Sequence, residues 1–465
     1  MRKHIFSLAA VVLAVLTSGS ALAASHEEWA GIYLGKQKIG YEHIAVEIIP
    51  GGFNITDDMT ASLSVLGTVQ ELNAKTSSVT DDSYRLKSFH FSMRSGFADS
   101  EISGSVDGHT LRIKTGPEPS AIKNIKIDEA PFLASGADLY LRGLKLKAGD
   151  SFDIPLFDPA SLSLDRMNVN VKSAERMKAG DALVPVYRLD ESYAGIEGSD
   201  WISPELGTVK SSGPMGFTYL RETRAQAVNL KTSSPPDITA LTSVPAEGTA
   251  VADPRSLSFM KARLDGVDFA GMPLDGGRQR FSDGILTTQK EDISGLKPAK
   301  LPVKEPGIER FLEPQPFVQS DDPEIISKAR EIIGRDKNSL GAAKMLLDWV
   351  YNNLRKYPSA GIPDAVEVLH NLSGDCNEHA TLYLALARAA GIPARMDSGL
   401  VLMDGRFYYH AWNEVYVGRW ITVDPTFGQF PADASHIRLA EGGLDKQIEL
   451  LKAVGKLKIK ILQYK

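Results

Sequence analysis

Ser373-Gly374-Asp375-Cys376-Asn377-Glu378-His379-Ala380 holds the chain's single cysteine, with His410 34 positions downstream and Asp424 14 beyond that. The order reads as a thiol nucleophile, its base, and the carboxylate that orients the base. A thiolate attacks carbonyls and a thiol does not, so such a cysteine needs surroundings that lower its pKa from about 8.5. Gly374 and Asp375 break the preceding pattern and cap a new helix. From Asn377 to Ala390, Ala380, Tyr383, Leu384, Leu386 and Ala387 recur at helical spacing until Gly391-Ile392-Pro393 stops them. Cys376 is therefore expected to open a buried helix, its sulfur at the positive end of the dipole, with the backbone N–H of Cys376 as an oxyanion donor.

Beyond the helix, Ala394 to Met403 alternates, Asp404-Gly405 signals a hairpin turn, and Arg406 to Val417 alternates again. With period two, Tyr408, His410, Trp412, Glu414 and Tyr416 share one face, so the imidazole should lie beside an aromatic wall. A second turn at Gly418-Arg419 leads into Trp420-Ile421-Thr422-Val423 and then Asp424-Pro425. Antiparallel return across that turn would bring Asp424 back towards His410, holding one ring nitrogen while the other faces the thiol.

This arrangement resembles the transglutaminase-like superfamily, in the bacterial exported branch provisionally described as cysteine proteases. The matching residues are Gly374-Asp375-Cys376-Asn377-Glu378-His379-Ala380, Gly391-Ile392-Pro393-Ala394-Arg395, His410-Ala411-Trp412-Asn413-Glu414-Val415 and Val423-Asp424-Pro425-Thr426. The resemblance implies an α+β class, with a papain-like core at the C-terminus, and a Cys376, His410, Asp424 triad that attacks amide or peptide carbonyls. Hydrolysis is slightly favoured over transamidation, and the superfamily also includes inactive binding versions. It further implies an upstream side-chain donor for the oxyanion, for which Tyr357 and Trp349 are the candidates, while Trp412 would cover the catalytic pair. No cofactor is expected. The expected partner is a peptide or protein amide.

Other readings of the same residues stand beside this one. Cys376 could be a small buried hydrophobe, His410 a satisfied core histidine, and Asp424 a turn cap. Cys376, His379, His410 and Asp424 could also form a metal site, but no second closely spaced ligand pair supports one. A non-catalytic binding or assembly factor using the same fold is the alternative function.

Met1-Arg2-Lys3-His4 followed by an apolar run from Ile5 to Leu16 and by Ala21-Leu22-Ala23 reads as a signal peptide over residues 1–23. The expected location is the periplasm or the exterior, with no integral membrane segment after removal of the signal. A single cysteine can form no internal disulfide, which in an oxidising compartment suggests a working thiol. The 52 basic and 58 acidic residues provide no basic excess for nucleic acid.

Residues 24–230 read as a β-rich domain of antiparallel neighbours, in the form of a large curved sheet or half-barrel. Prolines crowd residues 231–320, which read as a connector with some strand and a short helix at Leu257 to Leu264. The catalytic core spans 321–440 and opens with Ser320 capping a helix. Residues 441–465 are expected to add a helix and an edge strand, in which Lys456, Lys458 and Lys460 face water.

Overall fold

The structure is a computed structural model describing residues 26–95, 98–116, 121–230, 234–359 and 361–465. The signal peptide expected over residues 1–23 lies outside the described residues. Strand far outweighs helix (49 % against 19 %), so the chain is mixed but dominated by a large β-rich part, which is more lopsided than an even α+β description. It divides into two compact units, one of them comprising Thr239–Ser359 and Pro363–Lys465 and the other the described residues up to Ile238 with residues 361–362.

The N-terminal unit is built on one 14-stranded antiparallel sheet. Eight strands from His26–Leu34 to Ala121–Lys126 form one meander, and six from Ser151–Asp158 to Phe217–Arg221 form another. The first and last strands of this series pair with each other, joining the two meanders. Between them runs the helix Ala134–Gly143. Its Leu139 packs with Ile44, Val46 and Ile55 of one meander, and Ala137 and Leu141 pack with Ile154, Met167 and Val169 of the other. Both halves of the sheet thus bury apolar side chains on a single helix, which requires the sheet to curl around it.

Acidic side chains share that interior. Glu42, Asp138 and Asp200 are buried. Burial, reinforced by neighbouring carboxylates, pushes Glu42 and Asp138 well above the usual carboxylate range, and burial alone raises Asp200 against the pull of Ser211 and Arg142. Arg142 pairs with Asp138 and lies 3.4 Å from Glu28, which also meets Arg221 at 3.2 Å.

The C-terminal unit pairs a helical cluster with a 9-stranded sheet. Asp322, not Ser320, caps Pro323–Ile333 through the N–H groups of Glu324 and Ile325, and Asn338 caps Ser339–Asn353. These helices, Ala365–Asn371 and Cys376–Ala389 bury Ile325, Leu346, Val350, Val368, Tyr383 and Leu386 in one core that also takes Ala411 and Val415 from the His410 strand. Ala394–Met403 and Arg406–Tyr416 form the expected hairpin, with Gly399 opposite His410, and Trp420–Val423 pairs along the far part of Arg406–Tyr416.

Three expectations change here. The proline-rich segment is not a connector, because Val244–Gly248, Phe259–Asp265, Gln279–Ser282 and Ile285–Gln289 are strands of this same sheet. The stretch Leu257 to Leu264 is accordingly mostly strand and not helix; its Met260, Ala262 and Leu264 alternate inward and are buried. The C-terminal strand Lys458–Tyr464 is internal and not an edge. It runs parallel to Val244–Gly248 on one side and antiparallel to Phe259–Asp265 on the other. Alternating lysines suit an internal strand when one face is buried, as Ile459 and Ile461 are, and the other is wet.

Candidate functional site

Cys376 is the first residue of a helix whose residues from Cys376 to Arg388 are all buried. The local chemistry makes the start sharp. The Asp375 side chain accepts from the Asn377 N–H at 2.8 Å, and the Glu378 carboxylate accepts from the Asp375 N–H at 2.7 Å, a reciprocal capping box. Gly374 has no room for a side chain: a Cβ there would run into the Glu378 side chain.

His410 reaches Asp424 as expected, with Nε2 2.8 Å from Oδ2. Asp424 follows the strand Trp420–Val423, and its Oδ1 accepts from the N–H groups of Thr426 at 2.7 Å and Phe427 at 3.0 Å. The carboxylate is therefore fixed from both ends. Trp412, two residues along the strand, lies with its ring 6.0 Å from that of His410 at 24°, and Phe427 stacks on the imidazole at 4.9 Å. Cys376, His410 and Asp424 are each 0 % exposed.

The thiol lies against the backbone N–H of Ala411, the residue after His410. No hydrogen bond joins it to the imidazole among the described residues, and His410 Nδ1 is buried without a partner. The Asn413 side chain donates to the Ala380 carbonyl at 3.2 Å, tying the His410 strand to the first turn of the cysteine helix.

Electrostatics depart from the sequence reading. The thiol was expected to be lowered by the helix dipole. Instead burial pushes it well above its ordinary value, with Asp375 and then Glu378 and Asp424 adding to the rise and the Ala411 N–H opposing it. His410 is lowered, since burial outweighs the attraction of Asp424, and His436 and Arg255 push the same way. Both shifts run towards the uncharged forms of the two partners. His379, placed at the start of the same helix, is lowered to about 4 by burial and donates from Nδ1 to the Asp375 carbonyl at 2.6 Å.

The tentative residues fare unequally. Trp412 is brought to the site. Tyr357 is near it through its backbone N–H, which donates to the Gly374 carbonyl at 3.0 Å, with the Arg355 guanidinium 5.9 Å over its ring. Trp349 lies at the fringe of the helical core with Lys328 Nζ 5.6 Å over its ring, and is not among the groups packed on His410.

Sequence reasoning passed over His436, Asp433 and Arg255. His436 Nε2 lies 2.9 Å from the same Asp424 Oδ2 that His410 uses. Its Nδ1 lies 3.3 Å from Asp433 Oδ1, and Asp433 Oδ2 meets Arg255 at 2.9 Å. Arg255 also sits 4.5 Å over the Phe427 ring. Asp433-Ala434-Ser435-His436 carries one legible signal, an aspartate whose side chain caps its own turn by accepting from the Ser435 N–H at 2.8 Å. His410, Asp424 and His436 present donor atoms within 4.8 Å of one another, a spacing open to a cation. Their geometry is that of hydrogen bonds, because both ring nitrogens stand at bonding distance from one shared oxygen.

Residues 326–425 match the family model of the transglutaminase-like superfamily, so the C-terminal unit carries a transglutaminase-like domain. An uncharacterised protein of Haemophilus influenzae is 31 % identical over 101 residues, which are 20 % of this chain and 27 % of that protein. The chain thus spans about a quarter of the length of that relative. Among solved structures, a protein provisionally described as a cysteine protease from Cytophaga hutchinsonii is similar at 19 % identity and a TM-score of 0.32, covering 44 % of this chain and 82 % of that one. A β-barrel-like domain of unknown function from Brucella abortus is similar at 10 % identity and a TM-score of 0.34, covering 43 % of this chain and 96 % of its own. No helix among the described residues is long and apolar enough to cross a membrane.

Proposed function

We propose that the chain is an exported cysteine-dependent acyl-transfer enzyme with a papain-like C-terminal core, acting on amide or peptide carbonyls. The observation that carries this reading is the His410–Asp424 pair at 2.8 Å, with the second ring nitrogen of His410 unoccupied and the thiol of Cys376 against the next residue's backbone. His410 takes the thiol proton as the sulfur attacks, then returns it to the leaving amine. Asp424 holds the tautomer that leaves Nδ1 as the base. The resulting thioester passes its acyl group to water, slightly favoured, or to a second amine.

The test is a screen of the full chain against peptide and glutamine substrates, with and without a fluorescent primary amine, followed by intact-mass detection of an acyl adduct. Cys376→Ala and His410→Ala should abolish both adduct and turnover. Turnover that survives Cys376→Ala would remove the sulfur from the reaction. The complete burial and neutrality of the thiol favour one other reading, a non-catalytic binding or assembly factor. It predicts that Cys376→Ala preserves the role in the living cell.

A further inference from the structure

The shared carboxylate oxygen of Asp424 has consequences for charge. Oδ2 accepts from two imidazoles, His410 at 2.8 Å and His436 at 2.9 Å, and Oδ1 accepts from two backbone N–H groups. Four accepting contacts leave no place for a proton on Asp424, so it is a carboxylate and both imidazoles carry hydrogen on Nε2. His410 Nδ1 meets no acceptor that would hold a second proton, so a buried imidazolium N–H there would go unpaired and the neutral Nε2–H tautomer is favoured.

His436 differs. Its Nδ1 faces only acceptors, the Asp433 carboxylate at 3.3 Å and the Asp433 carbonyl at 3.2 Å. Asp433 is itself ionised: its Oδ1 accepts from the Ser435 N–H and hydroxyl, and its Oδ2 is paired with Arg255. With acceptors at both nitrogens, His436 must carry two hydrogens. The cluster, buried apart from the part-exposed Arg255 side chain, then reads Arg255 positive, Asp433 negative, His436 positive, Asp424 negative, and is electrically balanced before His410 is counted.

We propose that His436 is a positioning residue for the thiol chemistry, a fixed cation behind Asp424 that cancels the carboxylate's charge and so keeps the resting Cys376–His410 pair in its neutral form. Protonating His410 would add an uncompensated charge to a closed cluster whose histidine rings lie 5.7 Å apart. The thiolate and imidazolium would then form chiefly as a substrate carbonyl is attacked. The other charged or titratable groups nearby are Arg278, which donates to the Asp433 carbonyl and is balanced by Glu291 at 3.4 Å, Lys356, which acts on Asp424 and His379, and Asp375 and Glu378, which bear on the sulfur. None of these stands between His436 and Asp424. The raised pKa of His436 and the depressed one of Asp433 run the same way. The inference deepens the proposed function and rests on His410 serving the thiol.

The test compares the pH profile of Cys376 alkylation by iodoacetamide in the full chain and in His436→Gln, which can still donate to Asp424 but carries no charge. Loss of the cation should lower the midpoint by roughly one to two pH units, the scale of a single charge at this separation in a partly screened interior. An unchanged or raised midpoint in a folded variant overturns the proposal. Should the variant fail to fold, nitrogen-15 spectra of wild-type histidines decide: His436 retaining both ring N–H groups at pH 7.5 supports the proposal, and a singly protonated ring overturns it. These spectra report on His436 whether or not Cys376 is a nucleophile. An alkylation profile indifferent to His410→Ala would instead count against the proposed function.

Discussion

Replacing Asp424 with asparagine keeps the shape of the site and removes its charge, and the structure allows the cost to be worked out. The side chain now accepts from Thr426 and Phe427 N–H at Oδ1 and from two imidazoles at Oδ2. Backbone donors cannot turn away, so the asparagine carbonyl would stay with them and its NH2 would face two ring N–H groups. Two charge-assisted hydrogen bonds are lost, at about 1.5–3 kcal/mol each, or about 3–6 kcal/mol together. That is a large share of the roughly 5–15 kcal/mol that holds a domain. At roughly 2–4 °C per kcal/mol for a unit of this size, the melting temperature should drop by about 6–24 °C. His410 can relieve its part by moving the proton to Nδ1, which destroys the base; turnover should fall by about 10⁴-fold, as in other triads of this logic. Calorimetry of the full chain and the alkylation profile of Cys376 read the two effects separately. The sign of the pH effect follows from the depressed value of Asp424, to which His410 and His436 both contribute against burial. Its stabilisation is present above the ordinary carboxylate range and is lost only as pH falls through the lower folded value, so wild type should withstand more acid than Asp424→Asn. A variant that melts within about 2 °C of wild type, with an unchanged thiol profile, would refute the assignment of Asp424 as the anionic anchor.

Three further outcomes are expected. Asp375→Asn keeps a capping side chain and removes the group that, after burial, most raises the thiol; because burial and Glu378 hold Asp375 itself well above the usual carboxylate range, the alkylation midpoint of Cys376 should move down only slightly, and a large downward shift would mean that Asp375 is ionised at rest. Gly399→Ala would drive a Cβ into the Ile437 carbonyl and within 2.9 Å of the Leu439 nitrogen, both backbone, which should cost about 3 kcal/mol or more; thermal melting checks it. In the N-terminal unit, Glu42, Asp138 and Asp200 bind protons in the fold that the unfolded chain has released, so its melting temperature should fall as pH rises from about 5 to 8, and Arg142→Met should cost about 1–3 kcal/mol of stability by taking a buried hydrogen-bonding partner from Asp138 and Glu28, the latter keeping Arg221.

Much of the site was legible because its signals are local. The helix start at Asp375-Cys376, the hairpin at Asp404-Gly405 and the return that brings Asp424 to His410 each rest on residues within a few positions of one another. Burial is not local. Asp375 and Glu378 are visible in the sequence, yet their effect on the thiol depends on water being absent, which reverses the sign expected from the helix dipole. His436 and Arg255 were missed for a related reason: His436 lies in irregular chain and Arg255 in the single 3-10 turn Pro254–Ser256, both too short to carry a periodicity, and Arg255 reaches Asp433 from 178 positions away. The same applies to much of the proline-rich stretch, where some strand was legible but its place in a sheet depends on the distant partners Lys458–Tyr464 and Arg406–Tyr416.

The place of Lys458–Tyr464 in the sheet bears on how the molecule comes into being. Val244–Gly248 touches the His410 strand through only Val244 and Pro245, and its remaining residues Ala246, Glu247 and Gly248 lean on Ile459, Lys460 and Ile461. A chain emerging N-terminus first would carry cysteine, histidine and aspartate into the open well before this strand arrives to join the two sides of their sheet. Maturation of the reactive centre is then tied to late synthesis, and a polypeptide cut at about residue 457 would be left with a sheet divided through its middle, not one shortened at its margin.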